Sequence, residues 1–181
     1  MQNHWSSSFP QNFDVNESSL YQIPNINNFD QFVFLANKFR NLFRNNFSYN
    51  TPFSYEESYS FLSALNKDTS RIWYAISYKE KWIGHFGVKY LGDKNILLDN
   101  ALRFSPKGGK PLFTDIKNAL ISHIRLHLPD YNILIVIKKS NTLSLNFHAD
   151  VDFKDYSEIS LYNKLGLDPA RFSIMILEKL I

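Results

Sequence analysis

The stretch NILLDNALRFSPKGGKPLF, residues 95–113, joins an apolar, strand-like run to a helix-like run across two adjacent glycines. The chain has only six glycines, so the placing of two of them here needs a reason. A strand that ends in glycines and leads into a helix exposes backbone N–H groups at the positive end of the helix dipole, where phosphate can bind. Lys107 and Lys110 add positive charge at the rim of this turn. The turn therefore predicts an anion site.

The spacing of these glycines matches neither the triphosphate-loop pattern G-x-x-x-x-G-K-[ST] nor the dinucleotide-binding pattern G-x-G-x-x-G. An ordinary strand-to-helix turn also explains the two glycines.

Three β-rich runs lead to these glycines and predict an antiparallel meander. They are RIWYAISYKE, KWIGHFGVKYL and NILLDNALRF, joined by turns at residues 79–81 and 92–93. Two amphipathic helices precede them. Apolar residues between Phe32 and Phe43 recur at three- and four-residue spacing, and Ser54 with Glu57 forms a capping box that opens the second helix.

The segments after the glycines alternate between helix and strand. Residues 111–128 predict a helix that ends before Pro129, with Lys117 away from its apolar face. The run YNILIVIKK predicts a central strand, and NTLSLNFHADVDF predicts a further helix. The runs YSEISLYN and RFSIMILEKL predict two closing strands.

Composition restricts the class of protein. The 181 residues are 44% hydrophobic and 20% charged, which is typical of one globular domain, and we expect a polar, loosely ordered arm over residues 1–19 and a single domain over residues 20–181. No apolar run approaches the ~20 residues of a membrane helix, and the polar and aromatic run MQNHWSSSFPQNF lacks the apolar core of a secretory signal, so we expect a cytoplasmic protein without a membrane partner. The absence of cysteine excludes disulfides, thiolate zinc sites and a cysteine nucleophile. The formal charge of +3 is scattered, so we expect no nucleic-acid partner, and we predict no metal site.

A second pattern follows the central strand: Asn141-x-x-Ser144-x-x-Phe147-His148-x-x-x-Asp152-Phe153. This pattern and the order of the elements over residues 20–181 resemble the GNAT superfamily of N-acetyltransferases, whose corresponding helix commonly reads N-x-x-[SA]-x-x-[LF]-Y-x-x-x-G-F. The resemblance implies an α/β (α+β) fold with a central, mixed, mostly antiparallel, twisted sheet of about six to seven strands, flanked by helices on both faces. It also implies an enzyme that transfers an acyl group to an amine.

The cofactor that the resemblance implies is acetyl-CoA. Backbone amides after the meander would hold its pyrophosphate, and the end of the third meander strand would bind its pantetheine arm, with the second pattern alongside. The implied cofactor-binding residues are Leu102, Arg103, Phe104, Lys107, Gly108, Gly109, Lys110, Pro111, Leu112, Asn141, Ser144 and Phe147. The loop departs from the family pattern [RQ]-x-x-G-x-[GA], because its glycines are spaced differently.

Two residues of the second pattern also depart from the family. His148 stands where the family often has a tyrosine that protonates the leaving thiolate, and histidine, with an ordinary pKa of about 6.5, is a readier acid near neutral pH. The alternative is a half-buried helix residue that makes one hydrogen bond. Asp152 stands where the family usually has glycine, and aspartate tolerates left-handed backbone better than most residues do.

Acylation of an amine requires a base. The resemblance implies that groups near the middle of the third meander strand face the thioester carbonyl. Asp99 and Asn100 lie there, and of the two only Asp99 can accept a proton. An ordinary aspartate is a weak base, so Asp99 would need burial or a relay water; otherwise it is a solvated strand residue. His85 is the second candidate base, or a histidine that fills a pleated face.

The acceptor is predicted to be a small-molecule amine, and several features are similar to the branch of the family that acetylates nucleotide-linked amino sugars for surface polysaccharides. The predicted acceptor wall contains four rings, Phe47, Tyr49, Phe53 and Tyr55, which also suit core packing. One alternative is an acyltransferase acting on a protein terminus, polyamine or antibiotic, which an acidic or open groove would favour. The other is a noncatalytic binding domain of the same fold. The chain is expected to be a monomer or homodimer.

Overall fold

A computed structural model describes residues 5–105 and 109–178, and these residues form one sheet with helices packed against it. The sheet has eight strands in the order β1-β2-β3-β4-β5-β6-β8-β7. The strands are β1 (Asn12–Val15), β2 (Ser18–Gln22), β3 (Arg71–Tyr78), β4 (Lys81–Gly92), β5 (Asn95–Arg103), β6 (Asn132–Lys138), β7 (Lys154–Asp155) and β8 (Phe172–Leu177). Among the described strands only β5 and β6 pair in parallel. The predicted mixed, mostly antiparallel sheet is confirmed, with one strand more than the upper expectation.

Helices cover both faces of the sheet, as predicted. They are α1 (Phe29–Leu42), α2 (Tyr55–Ser63), α3 (Gly109–His127), α4 (Thr142–His148) and α5 (Ile159–Leu165). The apolar side of α3 packs with Tyr74 and Ile76 of β3, whereas α1 and α2 pack with their neighbours Trp73 and Ala75. Since successive strand residues point to opposite faces, α3 lies on one face and α1 and α2 lie on the other. No helix in the described part of the chain is long and apolar enough to cross a membrane.

Local sequence explains the meander and the start of α2. The two hairpin turns have consecutive residues in the left-handed region, at Lys79-Glu80 and Asp93-Lys94, as two-residue turns of the primed type require. At the start of α2, the Glu57 N–H donates to the Ser54 hydroxyl at 3.1 Å and the Ser54 N–H donates to the Glu57 carboxylate at 2.7 Å. The predicted capping box is confirmed.

The segment before β2 is not a loose arm where the structure describes it. Trp5 is only 1% exposed, its ring stacks on Tyr90, and its indole N–H donates to the Thr69 backbone oxygen at 3.1 Å. Phe9 is buried beside it, and β1 pairs with β2 along four residues. Residues 5–19 thus differ from the loosely ordered arm that the sequence predicts, because buried aromatic rings and strand pairing attach them to the sheet.

Two elements near the carboxyl end also differ from expectation. Residues 156–163 were expected to form a strand, but α5 occupies most of this segment and only residues 154–155 pair with β8. Leu161, Tyr162 and Leu165 follow a helical spacing and pack on the sheet, and Gly166, at φ 65°, ends the helix in the left-handed conformation. The helix expected over residues 141–153 ends at His148.

Candidate active site

A gap opens in the middle of the sheet between β5 and β6. The two strands pair in parallel only from Asn95 with Asn132 to Leu98 with Ile135, although β5 continues to Arg103 and β6 to Lys138. The outer edges of both strands stay paired, with β4 and β8. Beyond the last parallel pair, the facing edges have no strand partner among the described residues. Backbone groups on both sides of the gap are therefore available to a ligand.

The gap belongs to a cavity of about 780 Å³, which lies within the usual size range of small-molecule sites. The cavity brings together residues from α1, the connection that follows it, β4, β5, α4 and their neighbours. Twelve of the predicted site residues line it: His85, Asp99, Asn100, Leu102, Arg103, Asn141, Ser144, Phe147, His148, Phe47, Tyr49 and Phe53.

Other predicted site residues have different surroundings. Phe104 is buried between Phe32 and Phe39, with ring centroids 5.6 Å from each, and Tyr55 packs against Tyr59. Pro111 is exposed in the first turn of α3, and Leu112 is buried in the core. Lys107 and Gly108 lie outside the described residues, and Gly109 and Lys110 are described only as the first two residues of α3.

A β-bulge positions the predicted base. His85 pairs with Leu102 and Gly87 pairs with Asp99, so two residues of β5 oppose the single residue between them on β4. The first of these two, Asn100, has φ 49°, a conformation that asparagine adopts more readily than most residues. Its side-chain amide donates to Oδ1 of Asp99 at 2.7 Å. The bulge therefore places the carboxylate beside a fixed donor.

The surroundings of Asp99 strengthen it as a base. Burial raises the pKa of this carboxyl, while the Asn100 hydrogen bond and the positive charges of Arg71 and Lys89 partly oppose the increase. Its side chain is partly buried rather than fully solvated. A carboxylate with a raised pKa holds a proton more readily than an ordinary aspartate does, which suits a general base.

The second candidate base is packed among rings. His85 stacks on Trp73 with ring centroids 4.9 Å apart, and a Cβ at Gly87 would lie only 2.5 Å from the Trp73 indole nitrogen, so glycine is needed for this packing. Burial and the positive charge of Arg40 lower the pKa of His85 to about 3, although a hydrogen bond with the Asn100 backbone acts in the opposite direction. An imidazole with this pKa is a poor proton acceptor at neutral pH, so the surroundings favour a packing role.

The expected acidity of His148 does not fit its surroundings. Its ring lies at the end of α4 next to Phe147 and Phe153, with ring centroids 4.9 Å and 5.8 Å away. Burial and the charge of Lys117 lower the pKa of His148 to about 4, despite the opposing charge of Asp150. At pH 7 the imidazole of His148 is therefore neutral. Of its two nitrogens, Nδ1 is buried without a hydrogen-bond partner among the described residues.

Both ends of α4 are anchored. Asn141 caps its start, since its side chain accepts a hydrogen bond from the Ser144 N–H at 3.2 Å. At its end the Lys117 ammonium donates to the Phe147 backbone oxygen at 2.8 Å and forms an ion pair with Asp150. These contacts fix the helix that forms one wall of the cavity.

Lys117 lies in a different environment from the one that the sequence predicts. It is 0% exposed, whereas the pattern suggested a position away from the apolar face. The signal was present, because Phe113, Lys117 and Ile121 are spaced four residues apart and therefore lie in one stripe of α3. A lysine within an apolar stripe predicts a buried cation with a specific partner.

The charge of the cavity is also not apparent from the sequence. Its described lining carries five cationic side chains and two carboxylates. The cationic residues are Arg40, Arg71, Lys89, Arg103 and Lys138, and the acidic residues are Glu57 and Asp99. These residues come from six separate segments, so no local spacing in the sequence indicates them.

Comparison of the sequence with protein-family models finds no match, and comparison with curated proteins finds none either. Comparison of the structure finds many matches among solved structures. The Campylobacter jejuni N-acetyltransferase PseH, in complex with acetyl coenzyme A, is 19% identical over 90% of this chain and 99% of its own, with a TM-score of 0.64. The microcin C7 self-immunity acetyltransferase MccE, in complex with acetyl-CoA and AMP, is 17% identical over 96% and 99%, with a TM-score of 0.72. The ribosomal L7/L12 alpha-N-protein acetyltransferase RimL, in complex with coenzyme A, is 11% identical over 93% and 98%, also with a TM-score of 0.72. Together with the open sheet and its flanking helices, these likenesses show that the chain has the GNAT fold.

Proposed function

We propose that the protein is an N-acyltransferase that transfers an acetyl group from acetyl-CoA to a primary amine by direct attack of the amine nitrogen. The observation that carries the proposal is the gap between β5 and β6, which opens into a cavity that contains a carboxylate with a raised pKa. The gap offers unpaired backbone edges, and the carboxylate can accept the proton that the amine must lose.

The residues around the gap fit acetyl-CoA. Leu102 and Arg103 line one side of the cavity, and Ser144 and Phe147 of α4 line another, so an extended pantetheine arm would bind between strand edges and a helix. The first turn of α3 follows β5 after the segment 104–108, and its backbone N–H groups, which Pro111 lacks, would hold the pyrophosphate. The bound cofactor would supply the acetyl group as an activated thioester.

The proton chemistry falls to Asp99. The acceptor enters as an ammonium ion or amine, and Asp99 takes the proton from its nitrogen while Asn100 holds the carboxylate in place. His85 is too weak a base for this step, since its pKa is about 3. His148, with a pKa of about 4, is neutral at pH 7 and can donate only a hydrogen bond from its imidazole N–H toward a developing thiolate.

The acceptor is a small molecule, and a nucleotide-linked amino sugar for surface polysaccharide is the substrate class that we favour. The excess of cationic side chains in the cavity disfavours polyamines and cationic antibiotics, which an acidic groove would suit. The rings of Phe47, Tyr49 and Phe53 lie in the same cavity and can stack on a base or sugar. MccE, one of the structural neighbours, is in complex with acetyl-CoA and with a nucleotide, AMP.

A transfer assay tests the proposal. The protein is incubated with acetyl-CoA and three sets of amines: nucleotide-linked amino sugars, spermidine, and a peptide with a free amino terminus. We expect release of free coenzyme A thiol and a mass increase of one acetyl group in the first set, with little product in the other two. Equal acetylation of spermidine or of the peptide would contradict the acceptor class. Binding of acetyl-CoA without transfer to any amine would favour the noncatalytic alternative.

A further inference from the structure

We propose that the cavity binds an anionic group of the acceptor, a phosphate or a carboxylate, through the guanidinium of Arg40, with Arg71 and Lys89 adding positive charge. The inference rests on the proposed function in treating this cavity as the acceptor site. It goes further by assigning a residue and a chemical group to substrate recognition.

Arg40 is held in the cavity wall with part of its hydrogen-bonding capacity unused. Its guanidinium carbon lies 4.0 Å from the centre of the Phe47 ring and 5.3 Å from that of Phe53. One terminal nitrogen, Nη2, donates to the Tyr49 backbone oxygen. The other, Nη1, is buried and has no hydrogen-bond partner among the described residues. The two rings thus hold a guanidinium that still has a donor to offer.

Arg40 also lacks a carboxylate partner. The ion pairs of the described residues do not include it, and burial lowers the pKa of its guanidinium. A partly buried cation without an anion is costly, and charges in such positions are normally paired. An oxyanion from a ligand would supply the missing partner.

Two further donors in the cavity lining lack acceptors. Nε of Arg71 and Nε1 of Trp73 are both buried without a hydrogen-bond partner in the described part of the chain, and Trp73 is only 6% exposed. Arg71 has one distant ion pair, 3.6 Å from Asp68, and lies opposite Lys89 in the β3–β4 register. Because the unsatisfied groups of these three side chains are all donors, the matching ligand is rich in acceptors and carries negative charge.

Coenzyme A also carries phosphates, so the test must separate the two ligands. Protein saturated with coenzyme A is titrated calorimetrically with uridine diphosphate, with uridine as the neutral match, and with glutarate as a carboxylate probe. We expect at least one of the two anions to bind, and uridine to bind at least about 10-fold more weakly than uridine diphosphate if phosphate is the recognised group. Binding of glutarate but not of uridine diphosphate would identify a carboxylate as the group.

Variants locate the binding group. Arg40→Met should lower the affinity for the anion by about 10- to 100-fold, and Arg40→Lys should lower it by less. The affinity of both variants for coenzyme A should stay unchanged, which checks that they fold. Arg44→Met is the matched control, because Arg44 is exposed one turn further along and is not among the residues described as lining the cavity. It should change neither affinity.

Three results would overturn the inference: neither anion binds, Arg40→Met leaves anion affinity intact, or it weakens coenzyme A by the same factor. The first two leave the proposed acyltransferase standing if coenzyme A binds. If coenzyme A itself does not bind, the proposed function fails, while titration of the free protein with the same anions still tests the Arg40 site.

Discussion

Replacing Asp99 by asparagine should lower kcat/KM for acetyl transfer by about 10²- to 10⁴-fold, the range expected for loss of a general base. The amide has nearly the same shape but cannot accept a proton from the attacking amine. The affinity for acetyl-CoA should stay unchanged, because the carboxylate acts on the acceptor. Steady-state kinetics with direct measurement of acetyl-CoA binding separates the two effects.

The pH dependence gives the same prediction an independent readout. In the native protein, activity should fall as pH falls through the raised pKa of Asp99, because the protonated carboxyl cannot act as a base. The variant should lack this acidic limb. Since the folded-state pKa lies above the unfolded value, the ionised carboxylate destabilises the fold at neutral pH, and Asp99→Asn should be at least as stable there.

A matched control is Asp93→Asn, which changes an exposed aspartate in the turn that precedes β5. This substitution should leave the rate and its pH profile intact, since asparagine also tolerates the left-handed conformation of that turn. A rate for Asp99→Asn within a factor of three of the native rate would show that another group accepts the proton.

Removing the carboxylate of Asp150 should destabilise the fold by about 3 kcal/mol, the lower end of the cost of breaking a buried ion pair. The partner that remains, the Lys117 ammonium, is 0% exposed, whereas the Asp150 side chain is 39% exposed and stays partly solvated with or without the lysine. Losing the aspartate should therefore cost more stability than losing the lysine. Lys117→Met, which replaces the ammonium-bearing chain by an unbranched apolar chain one atom shorter, should cost less than Asp150→Ala.

Urea unfolding of both single variants and of the double variant measures the coupling between the two charges. The double variant should be more stable than Asp150→Ala alone, because no unpaired ammonium is left buried. Asp152→Ala serves as the control, since Asp152 is exposed nearby and forms no ion pair among the described residues. Equal costs for the two aspartate variants would contradict the assigned role of the pair.

The features that could be predicted from the sequence are those fixed by neighbouring residues. The capping box of Ser54 and Glu57, the hairpin turns and the run of three strands all depend on residues within a few positions of one another. The order of these elements is what carried the resemblance to the GNAT fold. The prediction of a strand over residues 156–163 is wrong, because Leu161, Tyr162 and Leu165 have helical spacing and Gly166 is a helix stop signal.

The features that escaped prediction depend on distant residues. The pKa of His148 follows from burial and from Lys117, which belongs to another helix, so the ordinary value of histidine was misleading. The cationic lining joins Arg40 of α1 to Arg71 of β3, and no spacing in the chain brings them together. Trp5 is buried against Tyr90, although the two residues are far apart in the chain and the residues next to Trp5 in the sequence are polar.

The binding of acetyl-CoA tests the central claim most directly. At a concentration of about 100 times Kd, the cofactor should stabilise the fold by about 2.7 kcal/mol, which for a chain of this size raises Tm by about 5–10 °C. Gly109→Asp places a carboxylate in the first turn of α3, where it would repel the pyrophosphate while suiting the helix dipole, so this variant should fold and show little shift. A shift in the native protein alone is the result that the acyltransferase proposal predicts; no shift in the native protein would contradict it.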